Sequence, residues 1–114
     1  MLVTSRETGR WIIPKGWPHE GMSSARSGAQ EAFEEAGITG AITKKAIGRF
    51  HYLKFIGTDD AIECIVHVHA MEVEEELERW PEKAQRTRKW FLRPEAAELV
   101  DEPELREIIL SFTP

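Results

Sequence analysis

One helix dominates the interpretation of this sequence. Ser23 or Ser24 is suited to cap its start and Gly37 to end it, so we expect a helix of about three to four turns between them. Its apolar side chains fall on one stripe and are mostly small: Ala25, Ala29, Ala32, Phe33 and Ala36. Because small side chains allow close approach, the pattern predicts that this helix lies against a β-sheet.

Strands are predicted on both sides of this helix. The segments "MLV" and "WII" indicate a hairpin across a polar turn near Glu7 to Gly9. The ranges 46–55 and 61–73 are rich in β-branched and aromatic residues, with "GTDD" as the turn between them, and predict two or three strands. "RTRKWFL" predicts one more short strand.

Two helices are predicted near the carboxyl end. "RPEAAELV" begins with a proline suited to a first helical turn, and "EPELREIILSF" places its apolar residues on one helical face: Leu105, Ile108, Ile109 and Phe112. The order of strands and helices, without internal repeats, predicts an α/β or α+β fold. A chain of 114 residues is expected to form a single domain over 1–114.

Charge and cysteine content narrow the function classes. The net charge is −5, so neither nucleic acid nor an anionic membrane is an expected partner. Cys64 is the only cysteine and cannot form an internal disulfide. The sequence has no run long and apolar enough for a signal peptide or a membrane span, so the cytosol is the expected compartment.

Three glutamates crowd the end of the predicted helix. Glu31, Glu34 and Glu35 are spaced to project from the same side, where like charges repel and the helix dipole is already negative. A hard divalent cation such as magnesium or manganese would remove this repulsion. A bare E-x-x-E-E pattern, however, is more often a solvated acidic face. The surrounding sequence has to decide between the two interpretations.

That context resembles the Nudix box. In this motif a glycine is followed by a glutamate, then by Arg-Glu, Glu-Glu, a glycine and an aliphatic residue at fixed spacing. Gly16 opens the matching segment, and six residues occupy its later places: Glu31, Ala32, Glu34, Glu35, Gly37 and Ile38. Two places depart from the motif. Met22 stands at the first glutamate and Gln30 at the arginine.

The two departures remove a supporting pair and leave the metal-binding set complete. In Nudix hydrolases the arginine and the first glutamate mainly orient the other glutamates. Losing both charges together costs less than leaving one of them unpaired in a partly buried place. The amide of Gln30 can still offer hydrogen bonds in place of the guanidinium.

The resemblance extends over nearly the whole chain. "LVTSRETGRWIIPKGWP", "GRFHYLKF" and "RWPEKAQRTRKWF" are similar to the branch of the Nudix family that includes diphosphoinositol polyphosphate and diadenosine polyphosphate hydrolases. The resemblance implies a mixed β-sheet sandwiched between helices. Family members usually carry a strand ahead of "LVTS", and we expect this chain to lack it.

The resemblance also implies a set of site residues. Glu31, Glu34 and Glu35 are the expected catalytic residues, and they bind Mg²⁺, or alternatively Mn²⁺, together with the backbone carbonyl of Gly16. Glu35 is the first candidate for the general base. Four further residues are expected to contact substrate phosphates or a base: Arg6, Lys15, Trp17 and Arg86. Each could instead be an ordinary surface or packing residue, and Arg88, His67 and His69 are interpreted in that way.

Three functions compete at this point. The first is metal-dependent hydrolysis of a diphosphate linkage in a nucleoside diphosphate derivative, a diadenosine polyphosphate or a diphosphoinositol polyphosphate. The second is a module on the same fold that binds such a molecule without cleaving it, which Met22 and Gln30 favour. The third is a structural domain with an acidic helix. In the first two the partner is a phosphorylated small molecule, and the chain is a monomer or a homodimer.

Overall fold

The computed structural model describes every residue from Met1 to Pro114. Seven strands, three α-helices and one short 3₁₀ turn follow one another along the chain. Their order is β1 (Leu2–Thr4), β2 (Trp11–Ile12), α1 (Ser24–Ala36), β3 (Ile38–Ile42), β4 (Gly48–Ile56), β5 (Asp60–Val68), β6 (Met71–Glu76), the 3₁₀ turn (Lys83–Gln85), β7 (Arg88–Lys89), α2 (Arg93–Leu99) and α3 (Pro103–Ser111).

The strands form three antiparallel sheets. β1 pairs with β2 on one edge and with β7 on the other, β3 pairs with β6, and β4 forms a hairpin with β5. The predicted α+β class is therefore confirmed, but the expected single mixed sheet is replaced by three antiparallel ladders. Because β2 and β7 occupy both edges of β1, β1 cannot also pair with the other two sheets.

Strand β1 separates two hydrophobic clusters. Neighbouring residues of a strand point to opposite faces, and Leu2 and Val3 accordingly enter different clusters. The Leu2 cluster joins the β4–β5 hairpin to the carboxyl-terminal helices: Leu2, Phe50, Val68, Ala96, Val100 and Leu105. The Val3 cluster joins β1 to the first helix and β3: Val3, Ala32, Ala36 and Ile38. Helices thus cover β1 from both sides.

Helix α1 begins and ends where the sequence predicts. The Ser23 hydroxyl accepts a hydrogen bond from the Arg26 N–H, and Gly37 closes the helix in the left-handed conformation with φ of 63°. Ala25, Ala32 and Ala36 are buried, as expected for the side that packs against β1 and β3. Ser27 and Glu35 are also buried, which the apolar stripe did not predict.

Two side chains from the far half of the chain fix the carboxyl end of α1. The Trp80 indole N–H donates to the Glu35 carbonyl at 3.1 Å, and its ring lies directly over Gly37. The Arg88 guanidinium stacks on that ring, 4.1 Å from its centroid, and donates to the carbonyls of Ala36 and Gly37. The helix end that carries the glutamates is therefore held by protein groups, which satisfy its last carbonyls.

The remaining predictions are mostly confirmed. The hairpin of β1 and β2, the "GTDD" turn before β5, the short strand β7 and both proline-initiated helices are present. Strand β3, which directly follows Gly37 and has an isoleucine at each end, is not among the predicted strands. The longest helix, α1, has 13 residues, and none of the helices has both the length and the apolar character to span a bilayer.

Candidate active site

The loop before α1 lies along the acidic side of the helix. The Lys15 N–H donates to Glu35 Oε1 at 3.3 Å, and the His19 N–H donates to Ser27 Oγ at 3.1 Å. Between them, Gly16 lies so close to Glu31 that a Cβ atom built on Gly16 would be 2.4 Å from Glu31 Oε1. Only glycine fits this place without moving the Glu31 carboxylate, which explains a glycine at the start of the motif.

Glu31 and Glu34 converge with a histidine of the same loop. One ligand atom from each of His19, Glu31 and Glu34 lies within 4.8 Å of the others, and all three residues are half-buried. His19 Nε2 is 2.9 Å from Glu31 Oε1. The spacing of the glutamates predicted their convergence, but the sequence interpretation did not include His19.

Glu35 faces a different partner. Its side chain retains 5% of its accessible surface, and its Oε2 lies 3.6 Å from Nη2 of Arg86. Burial, which is the largest cause, and the neighbouring Glu31 together raise the pKa of Glu35 to about 7, against the opposing effects of the Arg86 guanidinium and the Lys15 N–H. Glu35 is therefore not part of the group formed by His19, Glu31 and Glu34.

Arg86 is buried and bound to several protein acceptors. It retains 7% of its accessible surface, and besides Glu35 it donates to Glu82 Oε1 at 2.9 Å and to the Thr4 carbonyl at 3.1 Å. The sequence predicted a phosphate contact for Arg86. In the structure its donors already bind protein acceptors. A direct substrate contact therefore stays a prediction, which this arrangement does not favour.

The other predicted substrate residues differ in exposure. Lys15 is half-buried with its Nζ 4.1 Å from the centroid of the Tyr52 ring, and burial is the main cause that lowers its pKa. Trp17 is 56% exposed, and the Lys54 ammonium lies 5.0 Å from its ring. Arg6 is exposed and donates to Gln85 Oε1 at 3.1 Å. Their contacts with a substrate stay predictions.

A cavity of about 300 Å³ adjoins the site. Its lining includes Lys15, Gly16 and Glu31 from the loop and α1, and also His67 and Trp90. The two departures from the motif lie nearby in sequence, and Met22 is 38% exposed. A carboxylate at that position would have been open to solvent.

The residues present fit a divalent cation. Two carboxylates and an imidazole provide oxygen and nitrogen donors, and their partial burial limits competition from water. Because Gly16 lies close to the Glu31 carboxylate, the Gly16 backbone also lies next to this group of donors. Fold and site together define a small α+β domain whose first helix and preceding loop bring two carboxylates and an imidazole together in a group that could hold a metal ion.

The curated relatives of this chain are all named Nudix hydrolases. The chain is 31% identical to "Nudix hydrolase 12, mitochondrial" of Arabidopsis thaliana, with 87% of this chain and 50% of the relative aligned. It is 30% identical to "Nudix hydrolase 4" of the same plant over 98% of this chain and 52% of the relative. It is 29% identical to "Nudix hydrolase 16, mitochondrial" of the same plant, over 96% of this chain and 62% of the relative. No family model matches the chain.

These matches support the Nudix hydrolase family for this chain. The chain spans between about half and two thirds of the length of the three relatives described. The matches do not confirm that the chain belongs to the diphosphoinositol or diadenosine polyphosphate branch of the family. Some relatives are named mitochondrial or chloroplastic, so the cytosol also stays a prediction.

Proposed function

We propose that this domain is a metal-dependent pyrophosphohydrolase. Its substrate would be a nucleoside diphosphate derivative, a diadenosine polyphosphate or a diphosphoinositol polyphosphate. The convergence of Glu31 and Glu34 beside Gly16 carries the proposal, because a helix gains no stability from holding such carboxylates together. The Nudix relatives support the same reaction class.

Glu31 and Glu34 would hold Mg²⁺, with Mn²⁺ as the alternative ion, and Gly16 would contribute its backbone carbonyl. A bound dication supplies charge neutralisation for the phosphates and makes a coordinated water more acidic. The protein itself contributes by holding the ligand atoms in position. The loop is hydrogen-bonded to α1 through Lys15 and His19, so the ligand atoms are held in place before substrate arrives.

Glu35 would accept the proton of the attacking water. Its carboxylate lies against that of Glu31, and the Lys15 N–H and the Arg86 guanidinium fix its orientation. An oriented carboxylate next to the metal ligands has the placement that a general base requires. The prediction that Glu35 also ligates an ion stays open, since its oxygens face these two donors.

Lys15, Arg6 and Trp17 would contact the substrate. Lys15 is one of the residues that line the cavity next to Glu31, and its ammonium would turn from the Tyr52 ring to pair with a phosphate oxygen. The exposed Trp17 ring is free to stack on a nucleobase, whereas an inositol substrate would not need it. Trp17→Ala should therefore weaken hydrolysis of dinucleotide substrates more than that of inositol pyrophosphates.

Phosphate release from a panel of substrates tests the proposal. The panel contains diadenosine polyphosphates, inositol pyrophosphates, nucleoside triphosphates and nucleotide sugars, each with magnesium and with a chelator. We expect magnesium-dependent hydrolysis of at least one class. Tight binding without turnover on every member would instead favour the binding module that Met22 and Gln30 suggest, and would contradict the enzymatic proposal.

A further inference from the structure

His19 occupies a fixed position in the loop that faces α1. Its N–H donates to the buried Ser27 hydroxyl at 3.1 Å, and its carbonyl accepts a hydrogen bond from the Met22 N–H at 3.1 Å. These two contacts, one to the helix and one within the loop, hold the His19 backbone in place next to α1. The side chain keeps 34% of its accessible surface, so it lies at the boundary between the site and solvent.

The imidazole points at the carboxylates. His19 Nε2 lies 2.9 Å from Glu31 Oε1, and no ligand atom of the set His19, Glu31 and Glu34 is more than 4.8 Å from another. Ligands bound at about 2.0–2.2 Å around one dication are separated by at most about 4.4 Å. A small closure of the group around one ion would therefore satisfy all three ligands.

The rest of the site leaves a place for such a ligand. Glu35 is directed to Arg86 and Lys15, and the position where the motif carries its first glutamate holds the exposed Met22. Among the carboxylates of the motif, only Glu31 and Glu34 join this group. His19 supplies a third donor from the same loop, three residues before Met22.

We propose that His19 is a direct ligand of the catalytic ion, so that this domain has a mixed imidazole and carboxylate metal centre. The inference rests on the proposed function for the existence of an ion at Glu31 and Glu34. Imidazole nitrogen binds transition-metal dications in preference to magnesium, which takes oxygen ligands. The centre consequently favours ions such as Co²⁺ or Mn²⁺ over Mg²⁺ by more than a site made of carboxylates alone.

Metal titration of three proteins tests this assignment without any substrate. The parent chain, His19→Gln and the control His51→Gln are titrated with Co²⁺ and with Mg²⁺, and the dissociation constants are measured by calorimetry. Glutamine keeps the size of the side chain and a polar end but removes the ring nitrogen. His51 lies on β4, does not line the cavity beside Glu31, and keeps the histidine count of the control equal to that of the variant.

We expect His19→Gln to weaken Co²⁺ binding by about a hundredfold or more, because loss of a residue that only supports a ligand already costs about ten- to hundredfold, and to weaken Mg²⁺ binding by much less. His51→Gln should leave both constants unchanged. Equal losses for Co²⁺ and Mg²⁺ would overturn the proposal, because a histidine that only positions Glu31 by a hydrogen bond affects both ions alike. Failure of the parent to bind either ion would overturn it as well.

Proton magnetic resonance of the Co²⁺-loaded parent provides a second readout that does not depend on the folding of a variant. A bound imidazole gives an exchangeable ring proton with a large paramagnetic shift. We expect this signal in the parent and in His51→Gln, and its absence from the loaded parent would contradict direct ligation. Both readouts are independent of hydrolysis. A chain that binds Co²⁺ through His19 but cleaves nothing would contradict the proposed function alone.

Discussion

Arg86 Nη2 lies 3.6 Å from Glu35 Oε2, and both side chains are almost completely buried. The motif that α1 resembles carries its arginine at position 30, where this chain has glutamine. A guanidinium nevertheless stands beside the glutamates, and it comes from the segment between the 3₁₀ turn and β7. The cation beside the glutamates therefore comes from Arg86 and not from position 30, where the motif has its arginine.

Removal of this cation should destabilise the fold. We expect Arg86→Gln to lower the free energy of unfolding by about 3 kcal/mol, the lower end of the range for breaking a buried pair, because Glu35 can reduce the cost by taking up a proton. Arg86→Lys should lose less, since it keeps the charge. Urea unfolding monitored by circular dichroism measures both variants.

The matched control for Arg86 is Arg6, which approaches the same Glu82 carboxylate at 3.7 Å from an exposed position. Arg6→Gln should change the free energy of unfolding by less than about 1 kcal/mol, as is usual for exposed pairs. Equal effects of Arg86→Gln and Arg6→Gln would show that burial of the Arg86 pair does not matter for stability.

A glycine substitution tests the junction at the end of α1. Gly37 has a φ of 63°, and a Cβ atom there would lie 2.5 Å from the Trp80 ring. Gly57 has a φ of 77° with open space around it. Gly57→Ala should therefore cost only the left-handed strain of about 1–2 kcal/mol, whereas Gly37→Ala also has to displace Trp80 and should cost more.

Thermal unfolding of the two alanine variants provides the comparison for this junction. If Gly37→Ala and Gly57→Ala lowered the Tm equally, the packing of Trp80 on Gly37 would contribute nothing. We expect Gly37→Ala also to reduce turnover, since Trp80 and Arg88 hold the helix end that carries the glutamates.

The third prediction concerns pH and the start of α3. Glu104 accepts a hydrogen bond from the His51 N–H at 2.8 Å, and this bond, followed by the His51 ring, lowers the pKa of Glu104 below its ordinary value of 4.5. The unfolded chain then binds the proton more readily than the folded one. The stabilising contribution is present above pH 4.5 and is lost as the pH falls through the lowered pKa.

We accordingly expect Glu104→Gln to have a lower Tm than the parent at pH 7, and the difference to vanish on acidification below the pKa of Glu104. The exposed Glu98 of α2 provides the control, because Glu98→Gln should leave the pH profile of the parent unchanged. A constant Tm difference from pH 7 to pH 3 would refute a role for the Glu104 charge.

Local signals allowed most of the fold to be predicted. Ser23 and Gly37 mark the ends of α1, and Pro94 and Pro103 lie in the first turns of α2 and α3. Strand β3 was missed because its five residues follow Gly37 without a turn between them. The division into three sheets depends on which edges of β1 are occupied, and residue patterns along one strand do not contain that information.

The site was predictable where its residues share one helix. The spacing of Glu31, Glu34 and Glu35 places them together, but it does not reveal that Glu35 is buried against Arg86, which is 51 positions further along the chain. For the same reason the sequence did not reveal the protein partners of Arg86, and its phosphate contact stays a prediction. His19 was detectable in principle, since it lies in the loop between Gly16 and Met22.

The most direct test of the account is the turnover number of Glu34→Gln on the best substrate of the panel. Glu98→Gln is the control, and saturating magnesium is present throughout. We predict that kcat falls by on the order of a hundredfold or more in Glu34→Gln, with circular dichroism unchanged, because a metal ligand is lost while the helix is kept. An unchanged kcat in Glu34→Gln would contradict the claim that the glutamates of α1 form the metal-binding active site.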